Sequence, residues 1–243
     1  MESEGSGLDT KELPIGESVV SVTSVAPPSD SIYRGQTVTL KPVDPAEDVD
    51  ELYEGSHGND QNAQVWTYMA YGPFASAGAM REWLEKCASS TDPLFLTVHS
   101  NEQSTRVGMV SFLSVVPDMR RLELGHIWYS PVVQRSKVNT EAIYLMLCEA
   151  FDKLNYRRVE WKCDALNERS RAAAMRLGFS FEGIFNQHMI VKGRNRDTAW
   201  YAMLDSDWPE VKSNMQKWLR SEDNRVSLRK LNDKIVRPGA NDV

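Results

Sequence analysis

The sequence predicts an α/β fold with a mixed sheet. Strand-like segments of alternating character interleave with segments of helical period, in the order β-α-α-β-β-β-α-β-α-β-β. The hydrophobic pattern runs without a break from residue 35 to about 209, and 41% of the 243 residues are hydrophobic, enough for one sizeable core. No internal repeat interrupts that order.

The elements follow from local chemistry. Thr37-Val38-Thr39-Leu40 alternates as a strand does, and Asp44 or Pro45 opens a helix that ends near 55–58. Residues 77–87 form a second helix, with Met80, Trp83, Leu84 and Cys87 on one face. Residues 95–98 and 107–116 are neighbouring strands around a polar turn at 100–106. A further strand covers 122–129. Residues 139–154 carry the stripe Ala142, Leu145, Met146 and Phe151 of a four-turn helix. After a strand at 159–163, the helix 167–177 is stopped by Gly178, and strands follow at 180–183 and 198–204. Val211, Met215, Trp218 and Leu219 give 210–220 helical spacing. The chain thus divides into a disordered acidic, Ser- and Pro-rich tail at 1–33, a domain at 34–209, and a C-terminal helix with a charged, solvated tail at 210–243.

Composition narrows the function. A net charge of −6 speaks against nucleic acid as the main partner. No apolar run approaches the ~20 residues a bilayer span needs, and the N-terminus lacks the basic start and apolar block of a signal peptide, so a cytoplasmic, membrane-free protein is expected. Cys87, Cys148 and Cys163 show no metal spacing and are odd in number; buried free thiols are expected, and no metal.

Chemistry concentrates in two stretches. In the first, the strand 122–129 runs through the loop Gln134-Arg135-Ser136-Lys137-Val138-Asn139 into a helix, whose first-turn amides and partial positive charge suit a pyrophosphate. In the second, strand 159–163 leads to Asn167-Glu168-Arg169-Ser170, a helix, and Leu177-Gly178-Phe179; Asn167 serves there as a helix N-cap whatever else it does. Together with Asn139-Thr140-Glu141-Ala142, the ending Asn195-Arg196-Asp197 to Tyr201, Asp205-Ser206-Asp207-Trp208-Pro209, and the aromatic run from Trp66 to Phe74, these segments resemble the GNAT superfamily of N-acetyltransferases, close to its RimJ/RimL-like branch. The resemblance covers roughly 35–209. The phosphate loop departs from the usual pattern, since Lys137 and Asn139 stand where glycine or a small residue is common.

The resemblance implies the GNAT fold: a mixed, mostly antiparallel sheet flanked by helices and splayed at a cleft for acetyl-CoA. It implies a cofactor site at Trp128, Tyr129, Val133, Gln134, Arg135, Ser136, Lys137, Val138, Asn139, Thr140, Asn167, Ser170 and Ala174, with Lys137 adding charge toward phosphate. Glu123 is the candidate base, directly or through water, Ser170 the candidate acid at the cofactor sulfur, and Asn167 the amide beside the pantetheine arm. Cys163, mid-strand, is packing rather than a nucleophile. Trp66, Tyr68, Tyr71, Phe74 and His126 are candidate walls of the acceptor pocket; strict alternation puts His126 on the opposite face from Glu123. His188 and Arg194 fall in a predicted loop. The expected reaction is direct acetyl transfer to the amine of a small molecule, such as an amino acid derivative, polyamine or toxic metabolite. The alternatives are acetylation of a protein or peptide N-terminus, a catalytically silent CoA-binding sensor, or an interaction protein with no CoA site. The oppositely charged tails leave partner binding or a homodimer open.

Overall fold

Eight strands of the computed structural model, which describes residues 13–222 and 226–235, join in one sheet. They are β1 (Tyr33–Arg34), β2 (Val38–Pro42), β3 (Leu94–Ser100), β4 (Thr105–Val116), β5 (Arg121–Tyr129), β6 (Arg158–Asp164), β7 (Ser180–Val191) and β8 (Arg194–Leu204). Their order is β1-β2-β3-β4-β5-β6-β8-β7, and only β5 and β6 pair in parallel. The helices are α1 (Pro45–His57), α2 (Asp60–Ala63), α3 (Ala77–Ala88), α4 (Val138–Leu147), α5 (Glu168–Arg176), α6 (Trp208–Arg220) and α7 (Leu228–Asn232). This is the mixed, mostly antiparallel sheet that the resemblance implied.

Each face of the sheet has its own core. Leu122 and Leu124 of β5, Val159, Trp161 and Cys163 of β6, and Ala142, Ile143 and Met146 of α4 form one, joined by Ala174, Val211 and Leu228. Val49 and Leu52 of α1, Met80 and Leu84 of α3, and Trp66, Phe95, Met109 and Trp128 form the other. Burying one such aliphatic side chain contributes about 2 kcal/mol, so the two faces carry most of the drive to fold. Cys87, Cys148 and Cys163 are free thiols; Cys148 is only half-buried.

Several predicted elements change. The helix expected at 139–154 is α-helical to Leu147 and then π-helical over Cys148–Lys153. The strands expected at 180–183 and 198–204 are parts of a long hairpin, so His188 and Arg194 lie in strands, not in a loop. Its outer strand carries exposed Ile184, Phe185, Met189 and Ile190 at the sheet edge, where an apolar side chain signals no strand by burial.

The end segments are partly seated. The described part of the N-terminal tail has no helix or strand before β1, yet Ser24 Oγ donates to Leu154 O at 2.7 Å and Tyr156 to Val25 O at 3.2 Å. The charged C-terminal segment differs from a solvated tail: Leu228 and Asn232 are buried, and Asn214 donates to Leu231 O at 3.0 Å. Residues 1–12, 223–225 and 236–243 of the two predicted tails lie outside the described residues.

Candidate active site

The cleft begins where two parallel strands part. β5 and β6 pair from Arg121↔Arg158 to Leu124↔Trp161 and no further, although β5 continues to Tyr129 and β6 to Asp164. Beyond that point the facing backbone edges, 125–129 and 162–164, have no strand partner. An extended ligand with amide groups of its own satisfies such edges.

A bulge drives the parting. Met109 pairs with Trp128 and Ser111 with Gly125, so β5 carries one more residue than β4 across that interval. His126 takes it up at φ 52°. The extra residue inverts the alternation: Leu122 and Leu124 face the first core, whereas after the bulge Trp128 faces the second. His126 therefore turns to the side of Glu123, contrary to strict alternation. Its Nδ1 lies 2.9 Å from the Tyr71 hydroxyl, and its ring packs 4.8 Å from Phe95. Burial depresses its pKa to about 4, so the imidazole is neutral near pH 7.

The loop from β5 into α4 makes the second wall. The N–H groups of Arg135, Lys137, Asn139 and Thr140 meet no protein acceptor among the described residues, and Arg135 holds φ 65°. Ser136 Oγ accepts from Val138 N at 3.2 Å, closing one helix-start donor and leaving the others for an anion. The side chains at the glycine-like positions are pulled aside. Lys137 Nζ donates to Leu219 O and Ser221 O, both at 2.8 Å, capping the end of α6 rather than pointing charge at a phosphate. Asn139 Oδ1 and Thr140 Oγ1 accept from Arg176 at 2.9 and 2.7 Å. The loop thus keeps its amides approachable without glycine. Together, the unpaired strand edges and this amide cradle fit the pantetheine arm and pyrophosphate of coenzyme A.

Other expected cofactor residues serve from beneath. Val133, Val138 and Ala174 are core residues, and the Trp128 indole packs 5.0 Å from Trp66 in the second core, leaving only its backbone at the cleft. Tyr129 is half-buried with its hydroxyl enclosed beside Asn139 and Arg176, and burial pushes that hydroxyl's pKa up. Gln134 and Arg135 are exposed at the loop.

Across the cleft, Asn167 Oδ1 accepts from Ser170 N at 3.1 Å, the N-cap of α5. Ser170 Oγ accepts from Trp161 Nε1 at 3.0 Å, and its hydroxyl also hydrogen-bonds with the Cys163 thiol. Asn167 Nδ2 has no protein partner among the described residues.

Glu123 lies on the other side, nearly buried. Its Oε2 takes Lys162 Nζ at 2.8 Å, while Oε1 lies over Gly125, where a Cβ would come within 3.6 Å of it. Burial pushes its carboxyl above the ordinary range, against the pull of Lys162. Lys162 also binds Glu160 at 2.9 Å and sits 3.8 Å over the Trp200 ring. Arg196 lies near enough to act electrostatically on Glu123, and its Nε and Trp200 Nε1 are buried without an acceptor among the described residues.

The aromatic residues gather around Trp66, which is fully buried in the second core and so is a packing centre rather than the pocket wall expected of it. Trp66 packs edge-on to Tyr71, Phe74 and Trp83 at 5.9, 5.4 and 6.3 Å. The strap that carries them is tied across the cleft: Tyr68 donates to Leu166 O at 3.2 Å and Lys192 Nζ to Trp66 O at 2.9 Å.

Lys162 and Arg176 escape the sequence analysis, and Arg196 and Trp200 enter it only as part of the matched ending, not as site residues. A signal existed for Lys162: it alternates with Val159, Trp161 and Cys163, so a charge on that sheet face had to find a partner. Arg176 and Asn139 are 37 positions apart and meet only in three dimensions.

A family model described as "Acetyltransferase (GNAT) domain" matches residues 37–180. "Putative ribosomal N-acetyltransferase YdaF" of Bacillus subtilis is 26% identical over 176 residues, covering 70% of this chain and 93% of its own. A solved GCN5-related N-acetyltransferase from Brucella melitensis superposes with a TM-score of 0.83 at 38% identity, over 87% of this chain and 98% of its own. A GNAT-family structure from Chromobacterium violaceum gives 0.72 at 35% identity, over 82% of this chain and all of its own.

Proposed function

The chain belongs to the GNAT acetyltransferase family, which uses acetyl-CoA, and from that premise we propose that it acetylates the terminal α-amine of a polypeptide. One observation carries the choice of acceptor. The open edge strand β7 exposes Ile184, Phe185, Met189 and Ile190 on the hairpin whose other strand brings Arg196 and Trp200 to the cleft. Apolar side chains on an unpaired edge suit an extended peptide, and two buried donors without acceptors suit its carbonyl groups. The 26% identity to YdaF, whose name refers to ribosomal acetylation, points the same way.

Bound acetyl-CoA supplies an activated acyl thioester. Glu123 then takes the proton from the attacking amine, through one water, since its Oε1 is unengaged and its raised pKa makes it a better base than an ordinary carboxylate. The unpaired amides of the β5 edge donate to developing negative charge at the acyl oxygen. Ser170 holds a proton on the α5 side for the departing sulfur, with Trp161 Nε1 fixing its hydroxyl. Arg196 and Trp200 hold the acceptor, and neutral His126 with Tyr71 excludes water from its wall.

A small amine is the second reading. The strap bonds from Tyr68 and Lys192 narrow the mouth on the aromatic side, which favours a compact acceptor. Thiol release from acetyl-CoA, measured with a panel of free-amine peptides and of small amines, decides. Turnover with peptides, raised in KM by Phe185→Asp, is the expected result. Turnover confined to small amines gives the site to the second reading, and tight CoA binding with no turnover on either panel makes the chain a sensor.

A further inference from the structure

We infer that Arg176 is a cofactor-positioning residue: its guanidinium draws Asn139 and Thr140 off the phosphate loop and sets a positive charge behind the amides that receive the phosphates. Its fork reaches from the last turn of α5 to the first turn of α4, with Nη1 2.7 Å from Thr140 Oγ1 and Nη2 2.9 Å from Asn139 Oδ1. Both acceptors are neutral. No carboxylate lies within ion-pair distance of Arg176 among the described residues, and the Trp218 ring covers it at 6.0 Å. Burial accordingly holds its pKa below the usual arginine value. An enclosed cation without a counter-ion is costly unless something compensates it, and a pyrophosphate on the neighbouring loop is an anion of the right sign and place.

The same geometry answers the missing glycines. A residue with a side chain obstructs phosphate only where that side chain hangs over the amides. Arg176 fixes Asn139 and Thr140 to the side, as the α6 carbonyls fix Lys137. The loop is therefore held in its receptive form by a residue of a different helix.

This inference rests on the cofactor site and not on the acceptor. The test compares CoA, by calorimetry, with pantetheine, by competition, since pantetheine lacks every phosphate. Arg176→Met is expected to weaken CoA about tenfold or more while leaving pantetheine unchanged, the scale of a lost charge-assisted contact. The salt dependence of CoA affinity should flatten in the variant. Arg176→Lys keeps the charge but not the fork, so it should recover CoA affinity only in part. Equal CoA affinity in wild type and Arg176→Met, or a parallel loss for both ligands, overturns the inference. If Arg176→Met does not fold, Arg176→Lys decides alone: weaker CoA with unchanged pantetheine supports it, and unchanged CoA refutes it. A wild type that binds no CoA removes the cofactor site as well.

Discussion

Lys162 holds Glu123 by a 2.8 Å contact between its ammonium and Oε2, and both side chains are at least 86% enclosed. The pair is the inner end of a charge ladder that continues through Glu160 and Arg158 to Glu182, whose side chain is 33% exposed. Alternating charges at this burial are each compensated by the next, so the ladder fixes Glu123 in place and tunes it.

If Glu123 is the base, the rate rises with pH as its carboxyl loses a proton. Removing the Lys162 ammonium removes a force that lowers that pKa, so the acid limb of kcat/KM moves to higher pH in Lys162→Met. Glu123→Gln should lower kcat by about 100-fold or more with CoA affinity unchanged. A limb that stays put in Lys162→Met would assign the titration to another group.

His126 makes the opposite use of burial. Its folded pKa of about 4 lies below the 6.5 of an unfolded histidine, so between those values the unfolded chain binds the extra proton. Its contribution is complete above pH 6.5 and is lost as pH falls toward 4. At pH 5 the loss is about 2 kcal/mol relative to pH 7. Urea unfolding at the two pH values should show that difference shrink in His126→Gln. The same shift means that no rate inflection near pH 6.5 belongs to His126.

Much of this was legible in the sequence, for a physical reason. Polar–apolar alternation marks the strand at Thr37–Leu40, although Val38, Thr39 and Leu40 are all buried. It fails for β7, where exposed Phe185 and Ile190 lie on an edge and where the register shifts between Phe185 and Met189. Asn167 and Ser170 act through local spacing, so their cap geometry followed from the chain alone. The His126 bulge did not, because one inserted residue is visible only against the partner strand. The contacts of Lys137 and Arg176 join positions 82 and 37 apart, beyond any local pattern.

Gly108 governs the β4 side of the same bulge. A Cβ there would come within 2.1 Å of Trp128 O, a backbone atom that cannot move without shifting β5. Gly108→Ala should therefore cost about 3 kcal/mol or more in denaturant unfolding. The tolerant control is Gly16, where a Cβ meets nothing within 4 Å and the backbone has no positive φ. A Gly108→Ala protein as stable as wild type would mean that the strand edge lining the cleft is not held as described.

Glu141 anchors the start of α4 from the side away from the cleft. Its carboxylate accepts from the N–H groups of Gln36, Thr37 and Val38 at 2.8, 2.6 and 3.2 Å, and from the Thr37 hydroxyl at 2.5 Å. Gly35 leaves the room, since a Cβ there would lie 2.6 Å from Glu141 Cδ. Four donors on one ionised acceptor tie the β1–β2 turn to the first turn of α4. In Glu141→Gln, one end of the amide becomes a donor facing N–H groups, and its partners lose a charged acceptor. The expected loss is about 3 kcal/mol of stability. Because the anchored turn also carries the Asn139 and Thr140 amides, the variant should bind CoA more weakly even at temperatures where it is fully folded. Calorimetry below the unfolding transition separates the two effects. Undiminished affinity there would confine Glu141 to stability and leave the orientation of the phosphate loop to Arg176 and Lys137.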